Sequence, residues 1–185
     1  ELLKSINMKV FKFGGGILNS AEAVRHIPRV LDLFKEEPLI IVVSAFGKTT
    51  NALEEIISAG FHETGETDDL LQNLQAYHDQ IMAGLFAGIS HPVYTETSGL
   101  WNQLEETISS EPKDNFSRFY DQVICYGELI SSTITSHYLR DAGYGNTWHD
   151  VRRILKTDSN FRQAGIEWQQ SRVNARNELG TMFAS

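Results

Sequence analysis

Cysteine is nearly absent from this sequence, with Cys125 the only one among 185 residues. A single thiol excludes an internal disulfide and predicts a reducing compartment, the cytoplasm. Long hydrophobic runs are also missing, since the most continuous aliphatic stretch, Leu39 to Val43, is far too short to cross a bilayer. The sequence therefore predicts no membrane partner.

Positive charge is also in short supply, because 16 Lys and Arg residues face 24 Asp and Glu residues, for a formal net charge of −8. Without a basic run, such a surface argues against a nucleic-acid partner. The six histidines are scattered without metal-ligand spacing, so no residue is predicted to bind a metal. What is present, 41% hydrophobic and 22% charged residues, is typical of one soluble globular domain.

The order of elements begins strand, helix, strand. Alternation predicts a strand over Met8 to Phe13, Ser20 is a suitable N-cap for a helix to about Lys35, and Leu39 to Val43 predicts a strand buried on both faces. Two such strands joined by a helix form a parallel pair with a right-handed crossover. Further helices are predicted over 50–59, 70–86, 98–108, 115–141 and 168–179, with an interruption or close contact at Gly127 and the end of a third strand at 147–150.

The first candidate site follows the opening strand, which delivers Lys12 and then Gly14, Gly15 and Gly16 to its carboxyl end. Glycines permit unusual dihedral angles and let backbone N–H groups approach a ligand with no Cβ in the way. A concavity of N–H groups beside a lysine suits a phosphate group. An ordinary strand-to-helix turn with a surface lysine explains the same residues equally well.

The second and third candidate sites involve Ser44, Thr50 and Glu128. Ser44 and Thr50 place hydroxyls after the second strand, although a plain N-cap role for Thr50 is the alternative. The nearby Gly-Lys-Thr is not a P-loop, because that motif needs a glycine where Val42 stands. Glu128 lies in an apolar setting next to a glycine, where a carboxylate pairs with a cation or a ligand ammonium. An exposed helical glutamate is the alternative.

Together these segments resemble the aspartate kinases of the amino-acid kinase superfamily, from Met8 to about Leu179. Four separated motifs agree with that family in order and spacing: Lys12-Phe13-Gly14-Gly15; Val43-Ser44-Ala45 with Thr50-Asn51; Tyr126-Gly127-Glu128-Leu129 with Ser131; and His149-Asp150-Val151-Arg152 with Thr157, Asp158 and Phe161. The resemblance implies an α/β fold, three-layer α/β/α with a largely parallel central sheet, incomplete at the carboxyl end. Residues 8–185 would be the N-terminal, substrate-side portion of the kinase domain, and residues 1–7 an upstream extension or cloning remnant.

The resemblance also implies a reaction, the ATP-dependent phosphorylation of the side-chain carboxylate of L-aspartate to 4-phospho-L-aspartate. This reaction opens lysine, threonine and methionine biosynthesis. By family analogy, Lys12 would reach the transferred phosphoryl group, and the amides of Gly14, Gly15 and Gly16 would hold phosphate oxygens. Ser44 and Thr50 would bind substrate, and Glu128 would pair with its α-ammonium. ATP and Mg²⁺ would be the cofactors, and the full-length protein would be a homo-oligomer.

Two departures from the family pattern affect the expected activity. The family continues its glycine motif with Thr-Ser-Val, whereas this sequence has Gly16-Ile17-Leu18 and so lacks two hydroxyls beside the phosphates. The later glycine-rich Ser-Asp segment is also absent, so this chain alone is expected to be inactive. Two alternatives stay open: a superfamily member acting on another acid, and a catalytically silent amino-acid-binding module.

Overall fold

The computed structural model describes residues 8–35 and 37–180. The sequence also predicts the start of a strand after Gly180. That segment and the predicted extension at residues 1–7 lie outside the described residues. Within those ranges, no helix combines the length and the apolar character needed to cross a membrane.

Two parallel strands open the fold. β1 (Lys9–Phe13) pairs with β2 (Leu39–Val43) in register from Lys9 opposite Leu39 to Phe13 opposite Val43. Side chains alternate between the two faces of a strand. Phe13, Leu39 and Val43 pack against the hydrophobic core, whereas Val10 and Val42, on the other face, are 61% and 44% exposed. The prediction that β2 is buried on both faces is therefore wrong for the described residues, which pack against one face only.

The connection between the strands is more broken than predicted. Ser20 caps α1 (Ala21–Arg25), since its Oγ accepts a hydrogen bond from Ala23 N at 3.2 Å. A separate α2 (Ile27–Leu31) follows, with Pro28 in its first turn, and a 3₁₀ turn (Asp32–Phe34) leads to β2. Proline has no N–H to donate and fits the first turn of a helix, so the predicted single helix divides just before it.

Helices form most of the remaining chain. Each predicted helix is confirmed, several with wider bounds: α3 (Thr49–His62), α4 (Thr67–Leu85), α5 (Pro92–Ser110), α6 (Phe116–Ile124), α7 (Tyr126–Asp141) and α8 (Trp168–Leu179). α3 packs against α4 and α6, and α5 packs against α7. Their buried side chains form most of the core, together with Phe46 from the chain after β2. The helical members include Leu53, Ile56, Met82, Leu104, Phe119, Ile130 and Ile134.

The interruption predicted at Gly127 occurs at Cys125, between α6 and α7, and Gly127 itself makes the close contact. A Cβ on Gly127 would lie 3.0 Å from the Cβ of Ala45 and 3.1 Å from Cδ1 of Leu53. The glycine thus lets the first turn of α7 approach the chain that follows β2.

The third strand predicted at residues 147–150 is wrong for the described chain, whose sheet has two strands. Side-chain hydrogen bonds hold this segment against α7 instead. Asn146 Nδ2 donates to the carbonyl oxygen of Ser136, and Trp148 Nε1 donates to Ser132 Oγ at 2.9 Å. Since the described helices cover one face of the sheet, the second helical layer of the predicted three-layer arrangement stays a prediction.

Candidate functional site

The chain after β1 and the chain after β2 form one bonded unit at the carboxyl ends of the strands. We call residues 14–20 the β1 loop and residues 44–48 the β2 loop. Ser44 N donates to Phe13 O at 3.0 Å, and Gly47 N is shared between Gly15 O and Leu18 O, both at 3.0 Å. The carboxyl ends of parallel strands are where open α/β folds bind ligands.

In the β1 loop, Gly15 allows a close approach between chain segments, and none of the three glycines has a positive φ. Gly47 of the β2 loop does adopt the left-handed region, at a φ of +52°. A Cβ on Gly15 would come nearer to the carbonyl oxygen of Ala45 than real Cβ atoms approach, whereas Gly14 and Gly16 face open space. Only Gly15 is therefore required by the contact between the loops.

The β1 loop also leaves backbone donors free. In the part of the chain that the structure describes, the N–H groups of Gly14, Gly15 and Gly16 donate no hydrogen bond. Lys12, which precedes them on β1, is exposed, lies on the face away from the core, and makes no hydrogen bond or ion pair with a described residue. Three free amides and a free ammonium are a donor set that fits a phosphate group.

The first two turns of α7 are attached to the β2 loop by two hydrogen bonds. Ala45 N donates to Oε1 of Glu128 at 3.4 Å, and Phe46 N donates to Oγ of Ser131 at 2.9 Å. Glu128 is exposed, as its alternative interpretation expected, but its carboxylate nevertheless bonds to the loop. Residue-level reasoning gave Ser131 no role; its position one helical turn after Glu128 is the signal that could have indicated one.

Of the other predicted substrate residues, Ser44 begins the β2 loop and Thr50 lies at the start of α3. Ser44 is half-buried and Thr50 is exposed in the first turn of the helix. The N-cap position belongs to Lys48, without a side-chain bond, so the N-cap alternative for Thr50 is wrong. Its neighbour Thr49 is buried and makes a hydrogen bond to Nε2 of His78 at 3.4 Å. Burial lowers the pKa of His78 to about 4.

An open cleft of about 1190 Å³ lies beside β2, between α7 and the segment around Trp148. Glu128 lines it, as does Arg152, which forms an ion pair with Asp150 at 2.7 Å. Burial opposes ionisation of Asp150, but the hydrogen bonds from Arg152 outweigh it and lower the pKa of that carboxyl. Asp150 and Arg152 thus neutralise each other within this segment.

This cleft does not contain all of the predicted site residues. Lys12 and the three glycines are not among its lining residues, so within the described residues it is not shared by Lys12 and Glu128. The structure brings both Gly15 and Glu128 to the β2 loop. A common site for Lys12 and Glu128 therefore stays a prediction. Among residues 8–35 and 37–180, no three His, Cys, Asp or Glu side chains are grouped to hold a metal ion.

Comparison with known proteins decides the family. The model of the amino acid kinase family matches residues 7–183. The chain belongs to the amino acid kinase family. The curated relatives of this amino acid kinase chain include chloroplastic aspartokinase 2 of Arabidopsis thaliana, 28% identical over 167 residues, which cover 85% of this chain and 29% of the relative. The aspartokinase of Chlamydia trachomatis is 25% identical over 155 residues, covering 84% of this chain and 33% of the relative. The chain thus spans about a third or less of these relatives.

Solved structures agree on the fold. Escherichia coli aspartokinase III in complex with aspartate and ADP matches with a TM-score of 0.83 and 21% identity, over 96% of this chain and 38% of that one. The same enzyme with lysine and aspartate matches with a TM-score of 0.80, also at 21% identity, over 95% of this chain and 38% of that one. The described residues therefore share the aspartokinase fold.

Proposed function

We propose that this chain is the substrate-side portion of an aspartate kinase, which transfers the terminal phosphoryl group of ATP to the side-chain carboxylate of L-aspartate. The observation that carries the proposal is the junction of the two loops. It leaves the amides of Gly14, Gly15 and Gly16 free beside Lys12, while Glu128 bonds to the adjoining β2 loop. Relatives named aspartokinase, and a fold neighbour bound to aspartate and ADP, support this choice of substrates.

The residue types suit the chemistry of this transfer. The attacking carboxylate of aspartate has a pKa of about 3.9, so it is ionised at neutral pH and needs no general base. The difficulty is charge, since two unit negative charges about 4 Å apart repel by roughly 4 kcal/mol at an effective dielectric constant of 20. Positive groups and N–H donors offset this repulsion, and catalysis then depends on positioning.

Each predicted residue has one task in this scheme. Lys12 would contact the transferred phosphoryl group, and the free amides of the β1 loop would hold its neighbouring oxygens. Ser44 and Thr50 would bind aspartate, while Glu128 would pair with the α-ammonium and so select an acceptor that carries an amine. Mg²⁺, when bound with ATP, would neutralise phosphate charge.

Where the family has two hydroxyl side chains, this chain has Gly16 and Ile17. The task of holding phosphate oxygens therefore falls to the backbone. Ile17 is 69% exposed and supplies no polar side chain. The proposal therefore depends on backbone amides as the phosphate donors of the β1 loop. Their lack of acceptors among the described residues supports that role.

The test measures ATP-dependent acyl-phosphate formation by the intact gene product, trapped with hydroxylamine, with aspartate, glutamate and succinate compared as acceptors. We expect product with aspartate. Lys12→Ala should lower kcat about 10²- to 10³-fold, as removal of one charge-stabilising donor does. The matched control is Lys9→Ala on the same strand, whose ammonium pairs with Glu37 at 2.7 Å and should have little effect.

Acceptor selection is tested by Glu128→Gln. The variant should lose most of its preference for aspartate over succinate, which lacks the amine, because the charge partner of the ammonium is removed. A preference for glutamate in the wild type would identify another acid kinase. No product with any acid would contradict a kinase altogether and favour a binding module.

A further inference from the structure

Two adjacent residues of α4, Tyr77 and His78, contact the two strand-end loops, and the Tyr77 hydroxyl also lies beside Gly47 of the β2 loop. The Tyr77 hydroxyl donates to the carbonyl oxygen of Asn19 in the β1 loop at 3.1 Å. His78 Nε2 lies 3.4 Å from Oγ1 of Thr49, the residue directly after the β2 loop. One turn of a helix thus holds both loops, although neither side chain belongs to the predicted ligand contacts.

The neighbours of His78 fix its protonation state and ring orientation. Nδ1 lies 2.9 Å from the carbonyl oxygen of Leu74, which can only accept, so Nδ1 carries the proton. Nε2 of the neutral ring is then the acceptor, and the Thr49 hydroxyl donates to it. The ring is fully buried, stacked on Phe46 at 6.0 Å and edge-on to Trp101 at 5.4 Å.

Thr49 links this histidine to the predicted substrate residues. Its hydroxyl faces α4, whereas its Cγ2 methyl faces α7, 3.2 Å from where a Cβ of Gly127 would stand. Thr50 follows it in the chain and Glu128 follows Gly127. Because a β-branched side chain has few rotamers, a fixed hydroxyl also fixes the methyl. Loss of the His78 contact would therefore let the Thr49 side chain move. Both the adjacent Thr50 and the first turn of α7, which packs on the Thr49 methyl group, would then be held less firmly.

We infer that Tyr77 and His78 are positioning residues that set the separation between the β1 loop and the β2 loop. The inference rests on the proposed function, in which the first loop holds the phosphates and the second the acceptor. Misplacing reacting groups by about 1 Å can cost on the order of 100-fold in rate. A clamp that reaches both loops from one rigid helix limits such misplacement.

The test uses the intact gene product and a matched pair of variants at His78. His78→Asn keeps a donor for Leu74 but removes the acceptor for Thr49, whereas His78→Gln can place an oxygen near the lost Nε2. We expect His78→Asn to raise the KM for aspartate about two- to tenfold, the range for one hydrogen bond, with the KM for ATP unchanged. His78→Gln should recover most of this loss. Tyr77→Phe should instead raise the KM for ATP.

Hydrogen exchange of peptides covering residues 14–20 and 44–50 supplies a second readout that needs no catalysis. His78→Asn should speed exchange in the β2 loop and Tyr77→Phe in the β1 loop, with His78→Gln close to wild type. Equal kinetics and equal loop exchange in the two His78 variants would overturn the inference and leave a core-filling role. If the wild type phosphorylates no acid, the proposed function fails, and loop exchange still decides the positioning role.

A variant that replaces the other partner covers the case in which the His78 variants fail to fold. Thr49→Val keeps the shape of the side chain and removes its hydroxyl. It should reproduce the loop exchange of His78→Asn, and an unchanged β2 loop in Thr49→Val would refute the clamp.

Discussion

Replacing Gly15 by alanine tests the junction on which the candidate site depends. A Cβ at this position would meet the carbonyl oxygen of Ala45, which is backbone and cannot rotate away. Since non-bonded carbon–oxygen contacts are about 3.3 Å or longer, the loops would have to separate by about 1 Å. The hydrogen bonds that Gly47 N shares with Gly15 O and Leu18 O, both 3.0 Å, would lengthen with them.

The expected cost of Gly15→Ala follows from these contacts. Overpacking costs about 1–3 kcal/mol and a weakened hydrogen bond about 0.5–1.5 kcal/mol. The reduced entropy of the unfolded chain returns about 0.4–1 kcal/mol. We therefore expect the free energy of unfolding to fall by about 1–3 kcal/mol, measured by urea denaturation with tryptophan fluorescence.

The control for Gly15→Ala is Gly14→Ala, measured for stability alone. A Cβ on Gly14 meets nothing within 4 Å, and its φ lies outside the left-handed region, so this variant should be neutral or slightly stabilising. If both variants unfold at the same urea concentration, Gly15 does not make the contact described, and the argument for a fixed junction fails.

Three further predictions concern the elements around the junction. Gly127→Ala should destabilise by about 1–2 kcal/mol in urea, because its Cβ would lie 3.0 to 3.2 Å from three side chains; stabilisation, as helix propensity alone predicts, would contradict the packing. Ser131→Ala should cost about 1–3 kcal/mol, since Phe46 N loses its buried acceptor, whereas Ser109→Ala on an exposed face should not. His78 binds its proton less readily when folded, with a pKa of about 4 against 6.5, so its contribution is complete above pH 6.5 and falls as the pH drops towards 4. The resulting loss in the free energy of unfolding reaches about 3 kcal/mol. Unfolding curves at pH 7 and pH 4.5 should show a smaller loss for His78→Gln than for the wild type.

Local patterns predicted the elements well because each rests on neighbours in sequence. Alternation identified β1, an aliphatic run identified β2, and the Ser20 hydroxyl caps α1 as predicted. The strand prediction at residues 147–150 was wrong because a strand also depends on residues that are distant in the sequence. A strand forms only where another strand pairs with it, and Trp148 is held instead by a hydrogen bond to Ser132 on α7.

For the candidate site, the sequence predicted which residue types lie near the strand ends, but not how they contact one another. The sequence placed Lys12 and the three glycines at the end of the first strand, but the contact of Gly15 with Ala45 joins segments 30 residues apart and leaves no local signal. Adjacent threonines show the same limit. The family resemblance assigned a substrate role to Thr50, but nothing in the sequence indicated that the adjacent Thr49 turns inward to His78, which the position of α4 determines.

The proposed reaction needs both a correct geometry and strong electrostatic interactions, and these two requirements depend on different parts of the molecule. Geometry is set by the loop junction, whose partners are backbone atoms and buried side chains. The strength of the Lys12 charge depends on its surroundings: at about 4 Å, a unit charge pair interacts by about 1 kcal/mol in water but about 4 kcal/mol at an effective dielectric constant of 20. Lys12 is exposed on a sheet face that no described helix covers. In the proposed kinase, full strength of the Lys12 charge would therefore need a layer over this face that excludes water, while the loops align the reacting groups.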